Sequence, residues 1–385
     1  MSGPRTAARR IACVVGTRPE AIKMAPLIFA LKREPVFEVR VVASGQHADM
    51  LTQALEYFGI EADVNLGVME SAQTLDHVTS AVLKGVGAFL DSAPQDMLLV
   101  HGDTTTTLGA ALAAFYRKIP LGHVEAGLRS RDLTRPFPEE ANRVLTDRIS
   151  TLFFAPTRQA AENLRAEGVA EPRVFVTGNT VIDALFWTLG RGDAPLSGGL
   201  GLSLSLDKVP PGAPLALLTA HRRESWGAPL TRICGAARRL LEKYPALWFL
   251  VPLHKNPAVR ETIAGELGGR PRVIFTEPLS YPEFVAAMNR SVFILSDSGG
   301  VQEEASALRK PVLILRDLSE RPEALSEGTG VLVGTDGDRI EREASRILED
   351  ELYRASFAAR VSPFGDGHAG ERIAKIIRDY FSEER

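Results

Sequence analysis

The sequence predicts an α/β protein of two doubly wound domains, each built on its own parallel sheet, and three observations carry that reading. Short apolar runs rich in β-branched residues alternate with segments of helical spacing along the whole chain. Most of the runs lack polar alternation, as strands do when helices cover both faces of a parallel sheet. Twelve runs are too many for one compact sheet, and residues 190–214, with six Gly, four Pro and three Ser, divide them into two groups. The length of 385 residues agrees, since a domain takes ~100–200.

In the first group the runs fall at 11–15, 39–43, 97–100, 119–123, 152–155 and 174–177. In the second they fall at 215–219, 247–251, 273–276, 292–295, 312–315 and 331–333. The domains are therefore placed at 1–189 and 215–365, with 190–214 as the linker. A breaker cluster at 362–368 is followed by Ile373, Ile376, Ile377 and Phe381 at helical spacing. That helix, within 366–385, is expected to cross back onto the first domain.

Composition narrows the function classes. Lys plus Arg total 45 and Asp plus Glu 48, a net charge of −3, which argues against a general nucleic-acid binder. Two cysteines, Cys13 and Cys234, exclude a disulfide framework and a Cys-rich metal site, and fit a reducing compartment. No apolar run approaches the ~18 residues needed to span a bilayer. Arg5, Arg9 and Arg10 precede an apolar stretch that stops at Gly16, too short for a signal sequence. The expectation is a soluble cytoplasmic protein with no membrane or nucleic-acid partner.

Ligands of open α/β sheets sit beyond the carboxyl ends of the strands. There the sequence places Gly16-Thr17-Arg18 with Lys23, then His101-Gly102-Asp103, Glu125 with Arg129, His221-Arg222, His254 and Asp297-Ser298-Gly299-Gly300. Such groups from both halves are what a cleft between two domains needs. Each also has an ordinary reading. Asp103 before a run of Thr suits a helix N-cap, Glu139 and Glu140 suit the first turn of a helix, and Glu125 with Arg129 suits a solvated i,i+4 pair. His221 with its arginines reads as an exposed loop, and Ser298-Gly299-Gly300 as a generic turn that doubles as a phosphate seat. No G-x-G-x-x-G, G-x-x-x-x-G-K-[ST], H-E-x-x-H or G-x-S-x-G occurs, so a dinucleotide cofactor has no support.

Taken together, GTRPEAIKMAPL, SGQH, HGDTTTTLGAALAAFY, HVEAGLRS, RPFPEEANRVLTD, VTGNTVID, TAHRRE, SDSGGVQEE, RDLSERPEA and GDGHAGERI resemble the non-hydrolysing UDP-N-acetylglucosamine 2-epimerase family, in the family's order and over nearly the whole chain. The resemblance implies a GT-B-like fold of two Rossmann-like domains with the active site in the interdomain cleft, a homodimer, and no metal or redox cofactor. It implies interconversion of UDP-N-acetylglucosamine and UDP-N-acetylmannosamine through loss of the C2 proton and of UDP to give 2-acetamidoglucal, then re-addition. Removing a weakly acidic proton needs a positioned carboxylate, and inversion needs a second acid on the other face. Asp103, Glu125 and Glu139 match the family's acidic positions, with the order of their use left open. Arg143 matches a position that orients them, and His221 the histidine near the diphosphate.

For binding, Arg18, Lys23 and Arg321 match cationic contacts to UDP, and Ser298, Gly299 and Gly300 the diphosphate turn. Glu304 matches the ribose contact and Phe284 a uracil-side contact. Gln46, Arg222 and His254 match a second, activating site of some bacterial members. Where those members carry Gln and Arg this chain has Asp49 and Ala72, so weak homotropic activation is expected. Related readings are a 2-epimerase of a UDP-diacetamido-glucuronic acid and a hydrolysing epimerase. A nucleotide-sugar sensor, from another class, has no need of acids around C2.

Overall fold

The computed structural model describes residues 8–45, 48–68, 70, 73–191, 206–317 and 321–383. The chain forms two units, Met1–Ala184 with Gly365–Arg385, and Leu185–Phe364.

The sheet of the first unit contains β1 (Arg9–Val15), β2 (Phe37–Ala43), β3 (Val64–Asn65), β4 (Met97–His101), β5 (Leu121–Val124), β6 (Leu152–Ala155) and β7 (Val174–Val176). All pair in parallel, in the order β3-β2-β1-β4-β5-β6-β7. Strand β3 is the one that patterning overlooked. It is two residues long, too short to leave an apolar run, and pairs only through Val64 and Asn65 with the end of β2. The helices are α1 (Arg18–Arg33), α2 (Ala48–Phe58), α3 (Leu75–Ser92), α4 (Thr105–Tyr116), α5 (Glu139–Ile149), α6 (Arg158–Ala166) and α7 (Thr180–Gly190). Strands β4, β5 and β6 are buried along their whole length, which explains their unbroken apolar character.

The second unit repeats the plan. Strands β8 (Leu215–Thr219), β9 (Trp248–Pro252), β10 (Val273–Thr276), β11 (Phe293–Ser296), β12 (Val312–Ile314) and β13 (Gly330–Leu332) pair in the order β10-β9-β8-β11-β12-β13. They are all parallel. Its helices are α8 (Ala228–Lys243), α9 (Pro257–Leu267), α10 (Tyr281–Arg290), α11 (Gly299–Ala307), α12 (Pro322–Ser326), α13 (Gly337–Glu349) and α14 (Glu351–Ala358). Both sheets thus have the doubly wound order that winds outward in two directions from a switch point. That point lies between β1 and β4 in one unit and between β8 and β11 in the other.

The boundary between the units falls inside α7 rather than at residue 190. Leu185 is fully buried in the core of the second unit, beside Leu215, Leu217 and Met288. Val209, within the span read as a linker, is buried in the same core, so an apolar side chain draws that end of the span into the domain. Residues 192–205 lie outside the described residues.

Helix α15 (Ala369–Glu383) belongs to the first unit and packs on α1. Ile373, Ile377 and Phe381 are its buried stripe, each contributing about 1.5–3 kcal/mol by burial. Gly370 lies so close to α1 that a Cβ would meet the Pro26 carbonyl and the Leu27 nitrogen at 3.0 Å. The first amides of α15 are held by Asp183 of α7, whose carboxylate accepts from Gly370 N at 2.7 Å and Ala369 N at 3.2 Å. Burial pushes Asp183 up to about 6 in spite of these two donors.

A carboxyl raised in the folded state binds its proton more tightly folded than unfolded. Its contribution to stability is full below about pH 4 and is lost as pH rises through about 6. Asp183→Asn should therefore flatten the stability profile between pH 4 and 7 relative to the parent, read from denaturant midpoints at each pH.

Candidate functional site

In the first unit the turns leaving β1, β4 and β5 converge at the switch point. The β1–α1 turn lies against α4 because Gly16 has no side chain: a Cβ there would sit 2.2 Å from Thr106 Oγ1. Glu20, buried in the first turn of α1, accepts from Gly16 N (3.0 Å), Thr17 Oγ1 (2.7 Å), Thr104 Oγ1 (2.8 Å) and Thr107 Oγ1 (3.1 Å). One carboxylate therefore fastens the turn after β1 to the turn after β4. Burial pushes Glu20 up, and the four donors pull the other way.

Asp103 is not the N-cap of α4. That place is taken by Thr104, whose hydroxyl accepts from Thr107 N at 3.1 Å, so the carboxylate of Asp103 is released from capping. Its Oδ2 accepts from Arg143 Nη2 at 2.5 Å and its backbone carbonyl from Asn142 Nδ2 at 2.9 Å. A quarter of the Asp103 side chain is exposed, against 7% for Arg143, so the acid remains accessible while its cation is buried. Both partners lie on α5, which opens at half-buried Glu139. Glu139 and Arg143 are four residues apart and share a helix face. Buried Glu140 anchors the preceding chain by accepting from Ser130 N and Arg131 N, each at 3.0 Å, and pairs with Arg143 at 3.1 Å.

Glu125 adopts a left-handed backbone, φ +67°, which costs of order 1–3 kcal/mol for a residue with a side chain. The conformation is held because Glu125 N and Ala126 N both donate to the Phe154 carbonyl, at 3.1 and 3.2 Å. Its Oε2 accepts from Lys23 Nζ at 2.5 Å and Asn179 Nδ2 at 2.7 Å. Its Oε1 would lie 3.8 Å from a Cβ on Gly102, so the Glu125 side chain reaches the turn that carries Asp103. The solvated Glu125–Arg129 pair does not form: Arg129 is buried on Asp147 and Glu167 instead. Near Glu125, burial holds the His101 imidazole down at about 3, so it is neutral. Arg18 is exposed at the first position of α1.

The second unit holds the other residues. Fully buried Asp297, just past β11, accepts at Oδ2 from His221 N (2.8 Å), Arg222 N (2.8 Å) and Ser225 Oγ (3.1 Å). That fixes the turn after β8, while the His221 side chain stays 40% exposed. The His221 ring stacks on His254 with centroids 5.5 Å apart and planes 13° apart. Burial lowers the His221 imidazole; Asp297 opposes this, while His254 and Arg222 reinforce it. Ser298 precedes α11, whose first amides belong to Gly299 and Gly300. Arg321 lies beside that helix start, its guanidinium 3.9 Å from a Cβ on Gly299, and pairs with buried Glu303. Amides of a helix start beside an arginine suit an anionic group. Glu304 accepts from the Tyr281 hydroxyl at 3.0 Å, and Phe284 packs at the edge of the adjoining core.

Gln46 and Ala72 lie outside the described residues, and the side chain of Asp49 is likewise undescribed. The sequence places Glu20, His101 and Asp297 at strand ends without giving them a role, and Asn179 appears there only within the quoted motif VTGNTVID. Their signal was a charged or amide side chain next to an unbroken apolar run.

The fold defines the class: two parallel-sheet α/β domains of the Rossmann-like, GT-B-like kind. Within it the chain belongs to the UDP-N-acetylglucosamine 2-epimerase family, which it matches over residues 29–378. The UDP-N-acetylglucosamine 2-epimerase of Yersinia pestis is 45% identical over 371 residues, covering 96% of this chain and 99% of the relative. The crystal structure of UDP-GlcNAc 2-epimerase from Neisseria meningitidis bound to UDP-GlcNAc has a TM-score of 0.90 at 42% identity, covering 96% of this chain and all of that one. The Methanocaldococcus jannaschii UDP-GlcNAc 2-epimerase in complex with UDP-GlcNAc and UDP has a TM-score of 0.80 at 33% identity, over 96% of this chain and 99% of that one. Among the described residues no helix is long and apolar enough to cross a membrane.

Asp297→Ala would leave three donors of the β8 turn without their buried acceptor, at about 1–3 kcal/mol for each group left unsatisfied. Urea unfolding should show a lower midpoint with an unchanged slope.

Proposed function

We propose that this protein interconverts UDP-N-acetylglucosamine and UDP-N-acetylmannosamine in the cytoplasm, supplying N-acetylmannosamine-type precursors for cell-surface polysaccharide. The observation that supports the reading most directly is the pair Asp103 and Glu125, carboxylates on adjacent strand ends, each beside its own cation. A carboxylate takes the C2 proton as the C1–O bond breaks, its electrons leaving with UDP and the C2–H electrons forming the C1–C2 double bond of 2-acetamidoglucal. UDP then returns to C1 while a carboxylic acid delivers a proton to the opposite face of C2. Asp103, Glu125 and Glu139 form the acid–base set, and Arg143 sets the direction of Asp103.

Arg18, Lys23 and Arg321 serve as cations for UDP, the Ser298-Gly299-Gly300 turn as its diphosphate seat, Glu304 as the ribose acceptor and Phe284 as the uracil contact. His221, whose imidazole burial lowers, is held in its charged form by the diphosphate and stabilises it as it leaves. Arg222 and His254, which adjoin His221, are assigned with Gln46 to a second, activating UDP-sugar site. The protein acts as a homodimer; exposed Phe115 and Tyr116 of α4 and Leu145 of α5, on two helices that pack together, are the apolar surface that suits a second copy.

Asp103→Asn should lower turnover by ~10²–10⁴ while UDP still binds. In D₂O the parent should place deuterium at C2, observed by NMR. Binding of the nucleotide sugar without deuterium uptake would overturn the enzyme reading.

A further test concerns charge. If UDP raises the His221 pKa, binding takes up protons and affinity falls as pH rises through the bound-state pKa. Calorimetry in two buffers of different ionisation enthalpy should show this uptake in the parent and lose it in His221→Asn.

A further inference from the structure

Helix α5 carries Glu139, Arg143 and Asp147 at successive i,i+4 positions, so the three form one stripe along one face. The first is a proposed acid and the second grips the carboxylate of Asp103. The third, Asp147, lies deep in the unit, and burial raises it. His123 and Arg129 outweigh burial and hold it below the usual carboxylate range. Its oxygens meet three groups: His123 Nδ1 at 2.6 Å, Arg129 Nη2 at 2.7 Å and Gly127 N at 3.2 Å.

His123 is fully buried in β5. Its Nε2 lies 2.7 Å from the carbonyl of Gly102, the residue just before Asp103. A carbonyl can only accept, so His123 donates to Gly102 from Nε2, while its Nδ1 meets the Asp147 carboxylate. The ring, carried on β5 between β4 and β6, thus ties the Asp103 turn to that strand, with Asp147 as a brace from α5. The same Asp147 carboxylate, through Gly127 N, holds the turn that places Glu125 in its left-handed conformation.

We infer that His123, braced by Asp147, is a positioning residue for the epimerisation: it sets the Gly102–Asp103 turn in register with Glu125 and with Glu139 on the α5 stripe. The inference rests on the proposed function for the identity of the reaction, and on the hydrogen-bond geometry alone for the pin. A placement error of about 1 Å at a reacting group can cost ~10²-fold in rate, which sets the expected effect.

Two substitutions separate the two contacts of the ring. His123→Gln can keep a donor at the Nε2 position, facing Gly102, and gives up the contact with Asp147. His123→Asn can keep a donor at the Nδ1 position, facing Asp147, and gives up the one to Gly102. The inference expects H123N to lose ~10²-fold in kcat with KM and UDP affinity within about threefold of the parent. It expects H123Q to stay within about tenfold of the parent in kcat, even where both variants melt at equally reduced temperatures.

Amide hydrogen exchange gives a readout independent of turnover: residues 102–104 should exchange faster in H123N and at near-parent rates in H123Q. Equal kcat losses in the two variants, or parent-like exchange at 102–104 in H123N, would overturn the inference. If H123N does not fold, H123Q decides against the parent: a kcat within tenfold supports the pin and a ~10²-fold loss overturns it. A parent protein with no epimerase turnover would overturn the functional reading instead, and the exchange rates would still decide the pin.

Discussion

Charge buried under the strand ends of the first unit is the constraint on which the rest of its structure depends. Glu20, Glu125, Glu140 and Asp147 are all buried, and an ionised carboxylate without partners there would cost many kcal/mol. Each is therefore surrounded by donors, and those donors are the backbone amides, hydroxyls and cations of the site-forming turns. Losing one partner of a buried pair costs about 3–5 kcal/mol, whereas an exposed ion pair is worth about 0–1. Surface pairs such as Arg40 with Glu38 are minor beside them. Stability and site geometry are in this way set by the same contacts.

In the second unit Asp297 meets the corresponding demand at the switch point. Asp297 crosses from the end of β11 to the turn after β8, as Glu20 crosses from the turn after β1 to the turn after β4. In both sheets a buried carboxylate thus spans the switch point. The two winding directions leave a crevice there that backbone hydrogen bonds do not close. What differs is what each presents: the first unit acids beside cations, the second helix-start amides beside an arginine and a stacked pair of imidazoles.

Much of this was legible in the sequence because parallel strands buried on both faces leave unbroken apolar runs. All twelve expected strands lie within two residues of their observed bounds; β5, expected from 119, begins at Leu121, after Pro120. Strand β3, with two paired residues, has no such run and was invisible. The division of the chain was misplaced because glycine and proline content marks irregular backbone, while the boundary follows which core Leu185 enters. Among the candidate residues, Arg143 was expected beside the acids and pairs with Asp103, but the pairing of Glu125 with Lys23 and Asn179 was not foreseen. His123 looks like one more residue of a buried strand until its two nitrogens are seen to face Gly102 and Asp147. Capping followed the same logic: Thr104 and Asp103 are both good N-cap types, and only the geometry shows which hydroxyl or carboxylate meets Thr107 N.

The docking of α15 sets an order of events during synthesis. The turn that supplies Asn179 to Glu125 is packed by Gly365, which approaches Asn179 N to 3.4 Å at its Cβ position, and by Arg372, which donates to the Thr177 carbonyl at 3.1 Å. Those two residues follow the whole second unit in the chain. A ribosome making this protein N-terminus first therefore releases a second unit whose strands are all present while the first still lacks its last helix. The first unit is finished after the second, although its strands are made earlier.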